Sequence, residues 1–420
     1  MTASHDPVAS MRPRRIAVLS VHTSPLAALG GAESGGMNVY VRALSRELGA
    51  RDYAVDVFTR RTSPADPAVQ PFGPNARVIN IDAGPASLID KSRIGDHLDD
   101  FEAAVRTFIA AEGAHYSLVH SHYWMSAVVG ARLAQSWQVP HVVMFHTLGE
   151  VKKRAHISEH EPPARMEAER RIAATADRII VASAHEKHLL SALYGADGAR
   201  IDIVPCGVDL DRFFPMDKEA ARRQLRLRNG ERIILFVGRI EPLKGIDILI
   251  GAAVQLHEHE NFRVLIVGGD ERAQAQVQAL RDQAARLGVD HHVSFVGAVD
   301  HQDLPLYYNA ADVCVVPSYY ESFGLVAVES MACGTPVVAS RVGGLTSTIA
   351  DGETGYLIPW RCPEPFAERL ELLLDNDELR ASFGKAGREA VERYRWANVA
   401  DAHARLYESL LASPLVESGL

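Results

Sequence analysis

Two carboxylates, Glu321 and Glu329, stand eight residues apart across a Ser322-Phe-Gly-Leu325 turn. The apolar run 313–318 before them predicts a buried strand, and 325–333 predicts a helix. Glu321 then lies in the loop leaving a strand, with Glu329 two turns into the next helix. In an open α/β sheet, ligands bind beyond the carboxyl ends of the strands. Both acids can therefore face one cleft, where carboxylates are suited to gripping sugar hydroxyls.

Other residues suit an anion. A predicted strand at 233–237 runs into Gly238-Arg239, with Lys244-Gly245 five residues beyond the arginine. Arginine holds phosphate oxygens in a fork and lysine acts as a point charge, so around one turn they can converge on a single anion. A strand at 16–21 leads past His22 into Gly30-Gly31-Ala-Glu-Ser-Gly35-Gly36, which opens a helix at 37–49. Glycine permits close backbone approach, and a helix N-terminus favours negative charge. A diphosphate is the natural ligand. The rival dinucleotide reading lacks its G-x-G-x-x-G spacing.

His120-Ser-His122-Tyr123-Trp124 follows a strand at 118–121, and alternation puts both histidines on one face. A metal reading finds no third ligand nearby in sequence. Another strand, 141–145, ends in His146-Thr147. There is no G-x-S-x-G nucleophile elbow and no Walker loop.

The elements that must position these residues come in two series. Short apolar runs alternate with helical patterns, the mark of parallel βαβ units. The first series has strands at 16–21, 55–59, 77–81, 118–121, 141–145, 178–182 and 201–204, with helices at 37–49, 101–111, 127–135 and 165–174. The second has strands at 233–237, 264–267, 293–296, 313–316 and 337–339. The proline-rich stretch 62–74 predicts a surface loop, and a helix runs from about 397 to 411. Two domains also suit 420 residues.

A net charge of −9 argues against nucleic acid as a partner. The four cysteines, Cys206, Cys314, Cys333 and Cys362, form no C-x-x-C pair and predict reduced thiols in a cytoplasmic protein. Residues 1–10 carry no apolar signal core. No apolar run approaches the ~20 residues of a membrane span. The basic cluster Lys152-Lys153-Arg154 leaves peripheral membrane contact open.

The run Pro317-Ser-x-x-Glu321-Ser-Phe-Gly-Leu, its Glu329, and Gly238-Arg239…Lys244-Gly245 together resemble the signature of retaining GT-B glycosyltransferases, of family four, group 1. The resemblance implies an α/β GT-B fold of two doubly wound Rossmann-like domains facing across a cleft. It places a flexible N-terminal tail at 1–14 and an acceptor-binding domain at 15–214. A nucleotide-sugar domain follows at 215–395, and a helix at 396–415 returns to the first domain. It assigns donor binding to His22, Gly35, Gly36, Arg239, Lys244, Glu321 and Glu329, and catalysis to Arg239, Lys244, Glu321 and His146. Arg239 and Lys244 would hold the pyrophosphate, Glu329 the ribose, and Glu321 the donor sugar.

His22-Thr-Ser-Pro, Ser34-Gly-Gly-Met-Asn-Val-Tyr40, His120-Ser-His-Tyr-Trp124 and His146-Thr-Leu-Gly-Glu-Val-Lys152 are similar to the D-inositol-3-phosphate glycosyltransferases of mycothiol biosynthesis. That family transfers N-acetylglucosamine from UDP-N-acetylglucosamine to 1D-myo-inositol 3-phosphate. The resemblance carries its acceptor site onto Asn38, Lys91, Tyr123, Thr147 and Arg165. It requires no cofactor or metal, is compatible with weak Mg²⁺ binding, and leaves a homodimer open. Sucrose-phosphate synthases and sucrose synthases share the glycine loop. A lipid or polysaccharide mannosyltransferase, a UDP-N-acetylglucosamine 2-epimerase and a non-catalytic sugar-nucleotide sensor also stay open.

Overall fold

The computed structural model describes residues 13–27, 35–154, 161–228, 230–256, 261–359 and 362–412. The first sheet contains β1 (Arg14–Leu19), β2 (Tyr53–Arg60), β3 (Val69–Gly73), β4 (Ala76–Ile81), β5 (Leu118–His122), β6 (His141–Met144), β7 (Arg178–Val181) and β8 (Ile201–Ile203). Its order is β3-β4-β2-β1-β5-β6-β7-β8. The second sheet contains β9 (Arg232–Val237), β10 (Phe262–Val267), β11 (Val293–Gly297), β12 (Val313–Val316), β13 (Val337–Ser340) and β14 (Gly355–Ile358). Its order is β11-β10-β9-β12-β13-β14.

Apart from the antiparallel β3–β4 pair, the strand pairings are parallel. Strands β1 and β9 are apolar on both faces, as sheets covered by helices on each side require. Ile16, Ala17, Val18 and Leu19 of β1 and Ile233 to Phe236 of β9 are buried. One apolar cluster runs from Ile16 and Val18 through Val208, Trp396 and Phe323 to Leu235 and Leu265, tying the two sheets together.

Each sheet changes winding direction once. Chain order reverses between β1 and β5 in the first sheet and between β9 and β12 in the second. These are the switch points at which open sheets leave a crevice.

The helix Gly36–Gly49 buries Tyr40, Val41, Leu44 and Leu48, a stripe of helical period. The helix Trp396–Ala412 packs on it. His403 Nε2 lies 3.0 Å from the Tyr40 hydroxyl, and the Tyr407 hydroxyl lies 2.7 Å from His120 Nδ1. Among the described residues, no helix is long and apolar enough to cross a membrane.

The structure departs from the sequence reading in several places, and it adds the helices Gly149–Arg154 and Ala184–Tyr194 to the first domain. The stretch predicted as a loop at 62–74 includes β3, an edge strand whose Pro71 and register shift fit the sheet margin. The strand β14 follows a tight turn at Gly352, which has φ +80°. The helix Leu325–Ala332 puts Glu329 one turn from its start rather than two.

Candidate active site

The two switch points open onto one cleft of about 340 Å³, the scale of a small-molecule site. His22, Gly35, Gly36, Asn38, Lys91, Tyr123, His146, Thr147, Arg239, Lys244, Glu321 and Glu329 line it. The first domain supplies its groups from strand ends: His22 lies beyond β1, Tyr123 beyond β5 and His146 beyond β6. Tyr123 and His146 adopt φ of +76° and +60°. A side chain in this left-handed region costs energy and is held there by its surroundings.

On one side of the cleft two helix N-termini converge with two cations. Gly36 opens Gly36–Gly49, and a Cβ added there would stand 2.9 Å from Leu325 Cδ1, at the start of Leu325–Ala332. A Cβ on Gly35 would lie 4.0 Å from Arg239 Nε. Gly245 has φ +66°, and its Cβ would meet the Pro317 carbonyl oxygen at 2.1 Å, so this turn against β12 demands glycine. Lys244 Nζ stands 2.6 Å from Glu321 Oε2, and Arg239 Nη1 stands 2.6 Å from Glu241 Oε1. The cations are thus aimed by carboxylates at a place where two helix dipoles also favour an anion. Gly30 and Gly31 lie outside the described residues.

Asn38 fastens the glycine turn. Its Oδ1 accepts from the Gly35 amide at 2.9 Å, and its Nδ2 donates to Thr23 Oγ1 and the Ser24 carbonyl, each at 2.7 Å. Both amide protons are used, leaving a lone pair on Oδ1 for a ligand hydroxyl.

Two cations stand over the Tyr123 ring, which also lines the cleft. Lys91 Nζ lies 4.5 Å and the Arg165 guanidinium carbon 5.0 Å from the Tyr123 ring centroid, within cation–π reach. His22 packs on the same ring at 4.5 Å. Arg165 does not line the cleft. It is buried behind Thr147, donating to that residue's carbonyl at 2.8 Å and its Oγ1 at 3.1 Å. It also pairs with Glu169 and Glu161, each at 2.7 Å. Lys152 of the basic cluster reaches Glu161 at 3.2 Å.

His146 Nε2 lies 2.9 Å from His122 Nδ1. Burial pulls the His146 pKa down to about 3. Burial also holds His22 well below the usual range, with Lys91, His146 and Arg165 adding to the effect. Both rings are neutral at neutral pH, so they accept or donate hydrogen bonds without serving as acids.

Sequence reasoning did not find His301 and Tyr308. His301 Nε2 lies 2.8 Å from Glu329 Oε1, and the Tyr308 hydroxyl donates to Glu329 Oε2 at 2.9 Å. His301 sits in a polar loop after β11 and carries no local pattern. Its signal is the acid it meets, which is distant in sequence. His120 and His122 share a buried face with their rings 4.2 Å apart. Their neighbours are Tyr407, His403 and His146.

Residues 34–212 match the family described as Glycosyltransferase Family 4, and residues 217–390 match Glycosyl transferases group 1. The chain is 43% identical over 404 residues to D-inositol 3-phosphate glycosyltransferase 2 of Catenulispora acidiphila, covering 94% of this chain and 95% of that one. It is 44% identical over 410 residues to the D-inositol 3-phosphate glycosyltransferase of Mycobacteroides abscessus, covering 96% and 91%. Among solved structures, a sucrose-phosphate synthase of Thermosynechococcus elongatus superposes with a TM-score of 0.89 at 37% identity, covering 96% of this chain and all of that one.

Proposed function

Because the chain belongs to the group 1 glycosyltransferases, among relatives named D-inositol 3-phosphate glycosyltransferases, we propose that it moves a sugar from a UDP-sugar to a phosphorylated polyol. N-acetylglucosamine is the proposed sugar and 1D-myo-inositol 3-phosphate the proposed acceptor. One observation carries the reading. Two helix N-termini, Arg239 and Lys244 come together in the cleft, and Lys91, Tyr123 and Thr147 line it as a second set. The first set suits a diphosphate and the second a phosphate monoester.

In the proposed reaction the donor diphosphate lies against Gly35, Gly36, Arg239 and Lys244. Glu329 accepts from the ribose hydroxyls, and Glu321, held by Lys244, accepts from hydroxyls of the donor sugar. Charge developing on the leaving UDP is stabilised by cations and dipoles already in place. The bond from the anomeric carbon to the phosphate oxygen breaks, and the acceptor oxygen bonds to that carbon on the same face, retaining its configuration. The acceptor proton passes to the departing phosphate, since burial lowers the His146 pKa and makes that ring a weak base. His146 orients the donor sugar. Lys91, Tyr123 and Thr147 hold the acceptor phosphate, and Arg165, paired with Glu161 and Glu169, fixes Thr147 from behind. Asn38 Oδ1 is left for an acceptor hydroxyl. No resident cofactor is needed, and Mg²⁺ would serve only as a weak counter-ion of the diphosphate.

The likeness to a sucrose-phosphate synthase makes fructose 6-phosphate the second acceptor to try. The test is an end-point assay of UDP- and GDP-sugars against inositol 3-phosphate, inositol and fructose 6-phosphate, with the product anomer read by NMR. The expected result is transfer from a UDP-sugar to a phosphorylated acceptor with retention. Equal kcat/KM for inositol and its phosphate would refute the acceptor reading, because the contacts proposed between the phosphate and Lys91, Tyr123 and Thr147 would then contribute nothing to the reaction.

A further inference from the structure

A polar chain reaches the cleft from the junction between the domains. Arg212 Nη1 lies 3.0 Å from His301 Nδ1, and His301 Nε2 lies 2.8 Å from Glu329 Oε1. Arginine only donates, so His301 Nδ1 must accept. A ring protonated on both nitrogens would set two donors against each other at that distance. The single ring proton therefore sits on Nε2 and is given to Glu329, the tautomer being set by the bond the other nitrogen makes.

Arg212 and Phe213 belong to the segment joining β8 to the helix Lys218–Gln224. Phe213 is buried, with ring centroids 5.1 Å from His301 and 5.9 Å from Tyr308. The junction thus supports both groups that hold Glu329. A carboxylate offers about four lone-pair sites. His301 and Tyr308 take one on each oxygen, which leaves the two that a ribose diol needs.

We propose that Arg212 and His301 are positioning residues for Glu329: Arg212 sets the tautomer of His301, and His301 with Tyr308 aims the carboxylate at the nucleotide ribose. The inference rests on the reading that Glu329 holds the ribose, and it makes nucleotide affinity depend on the interdomain segment. A merely structural pairing would satisfy a buried acid without favouring one substrate over the other.

The test uses the full chain, with UDP Kd from calorimetry and KM for donor and acceptor measured separately. His301→Leu is expected to weaken UDP about 10- to 100-fold, the worth of a charge-assisted hydrogen bond, with acceptor KM within about twofold. His301→Gln keeps a donor and an acceptor and is expected to recover UDP binding to within about fivefold of wild type. Arg212→Met, at a site 40% exposed, is expected to weaken UDP about 3- to 10-fold, less because of solvent screening. In a Glu329→Gln background, His301→Leu is expected to add little.

Wild-type UDP affinity in both His301→Leu and Arg212→Met, while Glu329→Gln weakens UDP, would overturn the positioning role and leave the ribose reading standing. Equal losses in donor and acceptor KM, or no recovery with glutamine, would also overturn it. Unchanged UDP binding in Glu329→Gln would remove the ribose reading and this inference with it. Should His301→Leu fail to fold, Arg212→Met decides alone.

Discussion

Lys244→Ala removes a cation that stands 2.6 Å from Glu321 Oε2, both side chains being about one-fifth exposed (20% and 18%). An ammonium carries three donors, so Lys244 can keep Glu321 and still offer an N–H to a diphosphate. The substitution therefore has two effects of different size. In the free protein Glu321 loses its partner, at a cost of ~1 kcal/mol after solvent screening. For domains of this size that lowers Tm by about 2–4 °C. In the transition state the departing diphosphate loses a charge-assisted contact, worth ~10²–10³ in kcat. The catalytic loss exceeds the stability loss by ~2 kcal/mol or more, so it appears in protein that is still folded at 25 °C. The assay pairs continuous UDP release with a thermal melt. Lys244→Arg restores charge without the point geometry and is expected to recover only part of the rate. A folded Lys244→Ala protein with kcat within about threefold of wild type would refute the diphosphate assignment.

Three further predictions separate the other groups. Glu329→Gln is expected to weaken UDP itself, and Glu321→Gln to weaken UDP-sugar while leaving UDP little changed. Calorimetry with both ligands checks this, and identical effects on UDP would refute the two assignments. Lys91→Ala is expected to raise the acceptor KM about tenfold or more, as loss of a charged phosphate contact does, with donor hydrolysis intact. Initial rates at saturating donor measure it. The last concerns acid. Burial holds His120 and His122 well below the usual range, His141 and His146 at about 3 and His403 at about 4. These rings take up protons near pH 6.5 only in the unfolded chain, so their stabilisation is present above that pH and is lost as pH falls toward their folded values. Each costs a factor of about ten in the folding equilibrium per pH unit below about 6.5. Glu186 runs the other way. Burial raises it to about 7, so it favours the fold as pH falls from about 7 toward the unfolded carboxylate value, offsetting roughly one imidazole. A lower Tm at pH 5.5 than at pH 7.5 is expected, and an unchanged Tm would refute the neutral-cluster description.

Strand ends and charged turns were legible in the sequence because each is local. An apolar run as short as 233–237 reads as a buried strand, and the residues just beyond such runs, His22, His146 and Arg239, then lie at a sheet's carboxyl edge. The Gly35-Gly36 turn followed from the same logic, whereas the lack of room at Gly245 is set by the distant Pro317 carbonyl. What escaped was set by distant partners. β3 pairs at a sheet margin where proline is tolerated. Arg165 carries a charge that suits a phosphate, yet the fold spends it on Glu161, Glu169 and Thr147. His301 acquires its role only when Arg212 and Glu329 arrive on either side.

The helix Trp396–Ala412 has a consequence for how the protein is made. Its His403 meets Tyr40 across 363 positions of chain, and it buries Trp396, Val399, Leu406 and Tyr407. A ribosome has therefore released the whole second domain before the first can close its core. Until then Tyr40 lacks its imidazole partner and His120 its hydroxyl partner, and an apolar face stays open to solvent and to other nascent chains. The two sheets look like separate bodies, but the first cannot be cut out at the junction without losing the helix that closes its core. Long-range closure of this kind slows folding. Expression at lower temperature, or with chaperones that shield the growing chain, should raise the yield of this protein more than that of one whose first domain is complete when it emerges.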